Sequence, residues 1–242
     1  MQTLTSRDPL AVAVTEAIRA GDLPGLRRLL ADHPGLATAR VTEDGEDGKG
    51  TRTLLHLATD WPGHFPHGPE VVATLVAAGA DPNARFAGAH TETPLHWAAS
   101  NNDVPVLDAL VAAGADIEAP GAVIAGGTPL ADARAFGQWR AAHRLVEHGA
   151  RTTLQDAATL GLLDRVRAYV EDDGPPSPEE ITSAFWGACH GGHLATAQYL
   201  HRHGADIDWC GYDDRTPLDI ARVQDADDVV RWLHGLGPRS AS

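Results

Sequence analysis

Apolar residues recur along this chain at the three- and four-residue spacings of amphipathic helices, in pairs of short segments. Val106, Leu107, Leu110 and Val111, for example, form one apolar face. The stretch EAIRAGDLPGLRRLL holds two such segments separated by a glycine-containing turn. The pattern predicts pairs of short helices joined by tight turns.

Similar openings and endings show that the helix pair repeats. The openings are TLLHLAT (53–59), TPLHWAA (93–99), TPLADAR (128–134) and TPLDIAR (216–222). The endings are LVAAGADPNA (75–84), LVAAGADIEA (110–119), LVEHGARTTL (145–154) and LHRHGADID (200–208). Successive openings lie 40, 35, 24, 31 and 33 residues apart, counted at Leu55, Leu95, Leu130, Leu154, Phe185 and Leu218. The period is therefore about 33 residues, with insertions and one deletion.

The residues of one opening explain why a helix starts there. Thr93 can cap the helix, and Pro94 stands in the first turn, where a missing N–H costs nothing. Ala98 and Ala99 allow close packing on neighbouring helices, and Gly114 suits the left-handed position after the second helix.

Both motifs, found in register, resemble the ankyrin repeat, whose T-P-L-H-x-A motif opens a first helix and whose L-x-x-G-A-D-x-N motif closes a second. The resemblance covers nearly the whole chain. It implies an all-α fold, a solenoid of stacked helix-turn-helix pairs with short β-like fingers, in a single domain over residues 1–242. It also implies that His56 and His96 hydrogen-bond across to a neighbouring loop. The expected helix pairs are 8–34 (an N-terminal cap), 53–80, 93–115, 128–150, 152–171, 181–205 and 216–236 (a C-terminal cap).

Departures from the repeat are the places where function can be sought. The stretch DWPGHFPHGP (60–69) contains an insertion where a first helix gives way to a second. Its prolines stiffen the loop, and stiff aromatic loops bind with little ordering cost. Trp61 and Phe65 could bind a partner, or they could seal the join to the next repeat.

Two fingers are longer than the six-residue CGYDDR (210–215). The first, RFAGAHTE (85–92), carries charged and aromatic residues, and the second, PGAVIAGG (120–127), is uncharged. An apolar finger is expected to cover a ligand, a partner or the neighbouring finger. The fifth repeat lacks a finger, which predicts a notch in the concave wall.

No sequence motif demands catalysis or a metal. GxSxG, HExxH, P-loop and GxGxxG patterns are absent from the sequence, so no catalytic residue and no cofactor is predicted. Asp60, His64, His67 and His90 have spacings that zinc could accept, but the signal is weak among 13 histidines. Trp186 replaces the family histidine in AFWGACHGGH (184–193) and is expected to pack in the core.

Composition narrows the partner classes. Nineteen Lys and Arg against 33 Asp and Glu give a net charge of −14, which disfavours nucleic acid and anionic membranes. There is no apolar run of membrane-spanning length, no signal-like opening and no cysteine motif, so we expect a cytoplasmic protein.

The family resemblance implies a protein-interaction module that binds a protein partner on its concave face. The expected contact residues are Asp60, Trp61, His64, Phe65, His67, Arg85, Phe86, His90, Glu92, Ser100, Asn101, Phe136, His190, Tyr212 and Asp213. The alternative is a small-molecule site, with or without metal-assisted chemistry, formed by the insert 60–69, fingers 85–92 and 120–127, and His190.

Overall fold

The structure, a computed structural model, describes residues 2–43, 50–172 and 174–237, without the side chains of Glu43 and Asp213. The described chain is mostly helical, which confirms the predicted ankyrin-type fold class. It divides into two compact units, Met1–Ala150 and Arg151–Ser242. That the repeats act as a single domain stays a prediction.

The described residues of the first unit form four helix pairs. First helices pack on first helices and second helices on second helices, so the unit has two layers. The pairs are α1 (Pro9–Ala20) with α2 (Leu23–Asp32), α3 (Leu54–Ala58) with α4 (Gly68–Ala77), α5 (Pro94–Ser100) with α6 (Val104–Ala112), and α7 (Pro129–Ala135) with α8 (Trp139–Glu147). Leucines at equivalent positions, such as Leu55, Leu95 and Leu130, are almost completely buried in its core.

In the second unit, the part of the chain that the structure describes forms three helix pairs of the same kind. They are α9 (Leu154–Thr159) with α10 (Leu163–Glu171), α11 (Pro178–His190) with α12 (Leu194–Arg202), and α13 (Pro217–Val223) with α14 (Asp227–Leu236). Phe185, Leu200, Leu218 and Leu233 lie in its core. A 3₁₀ turn, Tyr212–Asp214, occupies its finger.

Helix α11 begins three residues before the predicted start at 181. The Ser177 hydroxyl accepts a hydrogen bond from the Glu180 amide (3.2 Å), and the Glu180 carboxylate accepts one from the Ser177 amide (2.8 Å). This reciprocal capping, with Pro178 in the first turn, starts the helix inside the acidic, proline-rich stretch.

A small sheet was not predicted from the sequence. Strand β1 (Thr3–Thr5) pairs in parallel with β2 (Arg40–Glu43), and β2 pairs antiparallel with β3 (Gly50–Thr53). The side chains of Leu4 and Val41 are buried in the core of the first unit. Because two helices separate β1 from β2 in the sequence, no local sequence pattern predicts that these strands pair. A second 3₁₀ turn, Leu36–Thr38, precedes β2.

Candidate functional site

The inserted segment 60–69 is fastened to the helix before it. Arg19, in the last turn of α1, donates to Asp60 Oδ2 at 2.7 Å, and its guanidinium carbon lies 5.9 Å from the centre of the Phe65 ring. A β-carbon on Gly21 would overlap the carbonyl oxygen of Pro66, so the loop backbone lies directly against the end of α1. Phe65 therefore serves the join between repeats.

The same segment is fastened to the repeat after it. The His64 amide donates to Asp103 Oδ2 at 2.6 Å, and His64 Nε2 lies 2.9 Å from the Asn101 carbonyl oxygen. Asn101 in turn donates from Nδ2 to the Thr59 carbonyl at 2.8 Å. His64 and Asn101 therefore hold the loop in place, while His67 adopts a left-handed conformation (φ 53°) as the residue that precedes α4.

Trp61 stands out from this fastened loop. This residue is 79% exposed, the highest value among the large apolar residues that the structure describes. Its amide is held by Asp60 Oδ1 at 3.0 Å, and the following peptide bond to Pro62 is cis. Because both flanks of the loop are held, the indole can be contacted without first ordering the backbone.

Asp60 joins two arginines rather than facing solvent alone. Arg52, in β3, donates from Nη1 to the same carboxylate oxygen as Arg19, at 2.8 Å. The Arg52 guanidinium also lies 5.7 Å from the Trp97 ring centre, within cation–π range. Asp60 therefore links α1, β3 and the insert.

Finger 85–92 is anchored by aromatic packing. Phe86 lies 5.6 Å from Trp97 and 6.3 Å from His56, ring centre to ring centre, and His56 contacts Trp97 edge-on at 4.9 Å. The Thr51 amide donates to the Ala87 carbonyl at 2.8 Å, which ties the finger to β3. Phe86 is thus a packing residue of the finger rather than a free contact group.

The two fingers are also joined to each other. Arg85 Nη1 donates to the Thr91 carbonyl at 3.0 Å and to the Pro120 carbonyl. Gly121, with φ of 122°, lies against the Thr91 carbonyl, an approach that a side chain would block. Val123 and Ile124 remain 39% and 38% exposed at the tip of the second finger. Finger 120–127 therefore contacts its neighbour, one of the three roles predicted for it.

His56 and His96 make the predicted bonds to the next loop. The Nε2 atom of His56 lies 3.1 Å from the Glu92 carbonyl oxygen, and that of His96 lies 3.3 Å from the Gly127 carbonyl oxygen. Burial lowers the pKa of His56 to about 3 and that of His96 to about 4. Since Nδ1 of each ring accepts from a threonine amide, we assign the proton of the neutral ring to Nε2. Both histidines are structural.

Trp186 replaces this histidine in the second unit and supplies the same bond. Its Nε1 donates to the Arg215 carbonyl oxygen at 2.9 Å, one residue before the threonine that opens the next helix. The side chain is almost completely buried, as predicted. The burial of Trp186 was thus predicted, but its role as a hydrogen-bond donor was not.

Two predicted contact residues are buried instead. His190 is 7% exposed and packs against Trp186 at 5.2 Å, because it lies on the packed side of α11. Glu92 is also 7% exposed, and burial raises its pKa, opposed by a hydrogen bond from the Trp97 side chain and by His90. Neither side chain presents itself to a partner.

The remaining predicted residues differ in exposure. Phe136 (49%), at the end of α7, and Tyr212 (48%), in the second unit, expose large rings, and His90 is exposed. Ser100 is only partly exposed. The side chain of Asp213 lies outside the described part of the chain.

A buried carboxylate, Asp132, was missed from the sequence. It lies in α7 at the position that Trp97 occupies in α5, is fully buried, and neither carboxylate oxygen has a hydrogen-bond partner. Burial raises the pKa of Asp132 to about 7, with a further rise from Glu92, while the backbone amides of Ile124 and Val123 oppose it without completing a hydrogen bond. The signal was an acid at a position where three other openings have the apolar residues Leu57, Trp97 and Ile220.

A cavity of about 580 Å³ lies beside Asp60 in the first unit. It opens between α1, the small sheet and α3. Its volume falls in the range of roughly 300 to 1,000 Å³ that is typical of small binding clefts. It is lined by Ser6, Val12, Thr15, Glu16, Arg19, Ala20, Val41, Arg52 and Leu57.

The structure does not assemble Asp60, His64, His67 and His90 into a ligand set. Within residues 2–43, 50–172 and 174–237, no group of three or more His, Cys, Asp or Glu could hold a metal ion. In the same ranges, no helix has the length and apolarity needed to cross a bilayer. The predicted small-molecule pocket of the insert, the fingers and His190 stays a prediction.

Comparison with known proteins identifies relatives of this chain. A family model described as ankyrin repeats (3 copies) matches residues 66–156. Cyclin-dependent kinase 4 inhibitor B of Rattus norvegicus is 30% identical over 147 residues, covering 61% of this chain and 95% of the relative. Protein PhlB of Serratia liquefaciens is 34% identical over 147 residues (60% and 56%), and protein fem-1 homolog A of Bos taurus is 40% identical over 91 residues (34% and 14%).

Proposed function

This chain belongs to the ankyrin-repeat family, and from that premise we propose that it is a protein-interaction module. The partner binds at the inner-helix face, by which we mean the side of the first unit formed by α1, α3, α5, α7 and the fingers 85–92 and 120–127. This is the face that the family resemblance predicts to be concave. The name of the rat relative describes an inhibitor of another protein, a kinase, which supports a protein as the class of partner.

The observation that carries the proposal is the exposure of Trp61 on a fastened loop. Trp61 is 79% exposed, and Trp is among the residues most enriched at the energetic centres of interfaces. The ion pair to Arg19 on one side and the His64 bonds on the other support a preorganised contact.

Neighbouring groups supply the remainder of such a surface. Phe136 directly follows α7, and Trp61 follows α3 by three residues, so the two rings lie near the ends of equivalent helices. Both rings are exposed. The polar residues Ser100 and Asn101 lie at the end of α5, which is between α3 and α7 in the order of repeats. Aromatic anchors among polar neighbours are typical of protein interfaces.

A site-specific photo-cross-link tests this proposal. A benzophenone amino acid placed at position 61 keeps an aromatic side chain there, and the matched control carries it at Tyr169, an exposed ring on α10 of the second unit. We expect ultraviolet light to attach a defined protein at position 61 and not at position 169. Equal adducts at both positions, or none at position 61, would contradict the proposal.

A further inference from the structure

Three aromatic side chains meet at finger 206–215 (DIDWCGYDDR) of the second unit. The Tyr212 ring lies 5.2 Å from the Trp186 ring and 6.2 Å from the Trp209 ring, centre to centre, with interplanar angles of 71° and 86°. A β-carbon on Gly211 would overlap both tryptophan rings, so the finger backbone lies directly against them. Such edge-to-face contacts hold the three rings in a fixed arrangement.

Tyr212 is held in place and is still nearly half exposed. Its hydroxyl accepts a hydrogen bond from Gln155 Nε2 at 3.3 Å, and its carbonyl oxygen accepts one from the Arg215 amide at 3.2 Å. The Trp186 indole donates to the Arg215 carbonyl oxygen, which fixes the end of the finger. Because its ring, hydroxyl and backbone are all held, the 48% of Tyr212 that faces water can be contacted without first ordering the finger.

The finger has an excess of negative charge. By sequence it carries four aspartates and one arginine, so its net charge is −4 + 1 = −3. Among the residues that the structure describes, Asp206 and Asp214 form no ion pair with an arginine or a lysine. In the following helix, α13, Asp219 and Arg222 are paired with each other at 3.6 Å. The charge of the finger is therefore not balanced by its own arginine.

We infer that finger 206–215 binds a cationic side chain, Arg or Lys, presented by a protein. The cation contacts the exposed part of the Tyr212 ring, because the π electrons of an aromatic ring attract positive charge. The carboxylates of Asp206 and Asp214 supply the opposite charge, which selects a cation over an anion or a neutral group. Tyr212 and Asp214 lie on an open surface, which suits a side chain held by its own polypeptide, whereas small molecules bind in enclosed pockets.

A peptide titration of the full-length chain tests the inference. The probe is the pentapeptide Ala-Ala-Arg-Ala-Ala with blocked termini, and the matched control peptide has citrulline, a neutral residue of nearly the same shape, in place of arginine. Nitrogen-15 NMR follows the indole N–H of Trp209 and the amide of Tyr212. We expect saturable shifts with the arginine peptide at low salt and none with the citrulline peptide. Equal shifts with both peptides would overturn the inference.

Substitutions separate the contribution of the ring from that of the charge. Tyr212→Phe keeps the ring and should bind the arginine peptide within about twofold of the wild type, whereas Tyr212→Leu should weaken binding about three- to fivefold. Asp214→Asn should weaken binding about two- to threefold, and asparagine tolerates the left-handed backbone at φ of 54°. Tyr169→Leu removes an exposed ring beside Arg151 and Arg165 and should change nothing. Unchanged affinity of Tyr212→Leu would show that diffuse charge alone attracts the peptide, which contradicts the inference.

A small organic cation is the competing occupant. If tetramethylammonium saturates the Trp209 shift at a lower concentration than the arginine peptide does, the finger binds small cations and the inference of a protein side chain is wrong.

The two proposals fail separately, because the titration does not involve Trp61. A failed titration leaves the proposed function standing, and the absence of a cross-link at position 61 leaves the cation site of the finger standing.

Discussion

Replacing Asp132 by asparagine should stabilise the protein, and the gain should depend on pH. The folded chain keeps the Asp132 carboxyl protonated up to its pKa of about 7, whereas an aspartate in the unfolded chain has a pKa of 3.8. Between these values the unfolded chain binds fewer protons than the folded chain, so stability falls as pH rises from about 4 to 7. The loss of stability caused by Asp132 is absent at pH values below the pKa of the unfolded aspartate and complete above the pKa of the folded one.

The magnitude follows from the pKa difference. A difference of about 3 at about 1.4 kcal/mol for each pH unit gives about 4 kcal/mol as an upper value at pH 8.5. Asparagine has nearly the same shape and cannot ionise, so Asp132→Asn removes this penalty. At pH 5 the pH is only about one unit above the pKa of an unfolded aspartate, so Asp132→Asn should raise the free energy of unfolding by about 1.5 kcal/mol or less.

Urea denaturation of the full chain, followed by far-ultraviolet circular dichroism at pH 5.0 and 8.5, measures the difference. Asp164→Asn is the matched control, because the Asp164 side chain is 97% exposed and its loss should change the free energy of unfolding by less than about 0.5 kcal/mol at either pH. An equal effect of Asp132→Asn at both pH values would refute the reasoning. Destabilisation at both would show that the carboxylate is bonded to the amides of Val123 and Ile124 in a way that asparagine cannot reproduce.

Three further predictions concern the framework. Gly21→Ala should lower the free energy of unfolding by about 2 kcal/mol or more, because φ is 65° and the new methyl group meets the Pro66 carbonyl. Gly79→Ala is the control: φ is 100° but the space around it is open, so the loss should be only about 1 kcal/mol. Urea denaturation midpoints of the two variants measure the difference. Trp186→Phe should lower the free energy of unfolding by about 2 kcal/mol in the same assay, since the Arg215 carbonyl loses its hydrogen-bond donor. An unchanged urea midpoint would contradict the role of Trp186 as that donor. Because His56 and His96 have folded pKa values of about 3 and 4, below the unfolded value of 6.5, their contribution to stability should be lost as pH falls below 6.5. Urea midpoints of His96→Gln should therefore be less sensitive to pH between 4.5 and 6.5 than those of the wild type.

The helix pairs could be predicted because their determinants are local. Thr93 caps α5, Pro94 starts it, and His96 reaches the next loop, all within one short motif. The same logic failed for the strands, since the pairing of Thr3–Thr5 with Arg40–Glu43 depends on two intervening helices bringing distant residues together.

The candidate site was only partly predictable, because burial is decided by what covers a residue. The sequence DWPGHFPHGP identified an unusual loop. It did not predict that Phe65 would contact Arg19 and that Trp61 would be exposed to water. Asp132 was visible as an acid at an apolar position, yet its burial depends on the finger above it. His190 was expected to face a partner and instead packs against Trp186.

The most direct test of the account is the affinity of the cross-linked partner for Trp61→Ala, measured by isothermal titration beside the wild type and Tyr169→Ala. The account predicts a loss of at least about 2 kcal/mol, roughly 30-fold in Kd, for Trp61→Ala. Tyr169→Ala, which removes an exposed ring from the second unit, should stay within about twofold of the wild type. Equal affinities for all three proteins would contradict the claim that Trp61 anchors the interface.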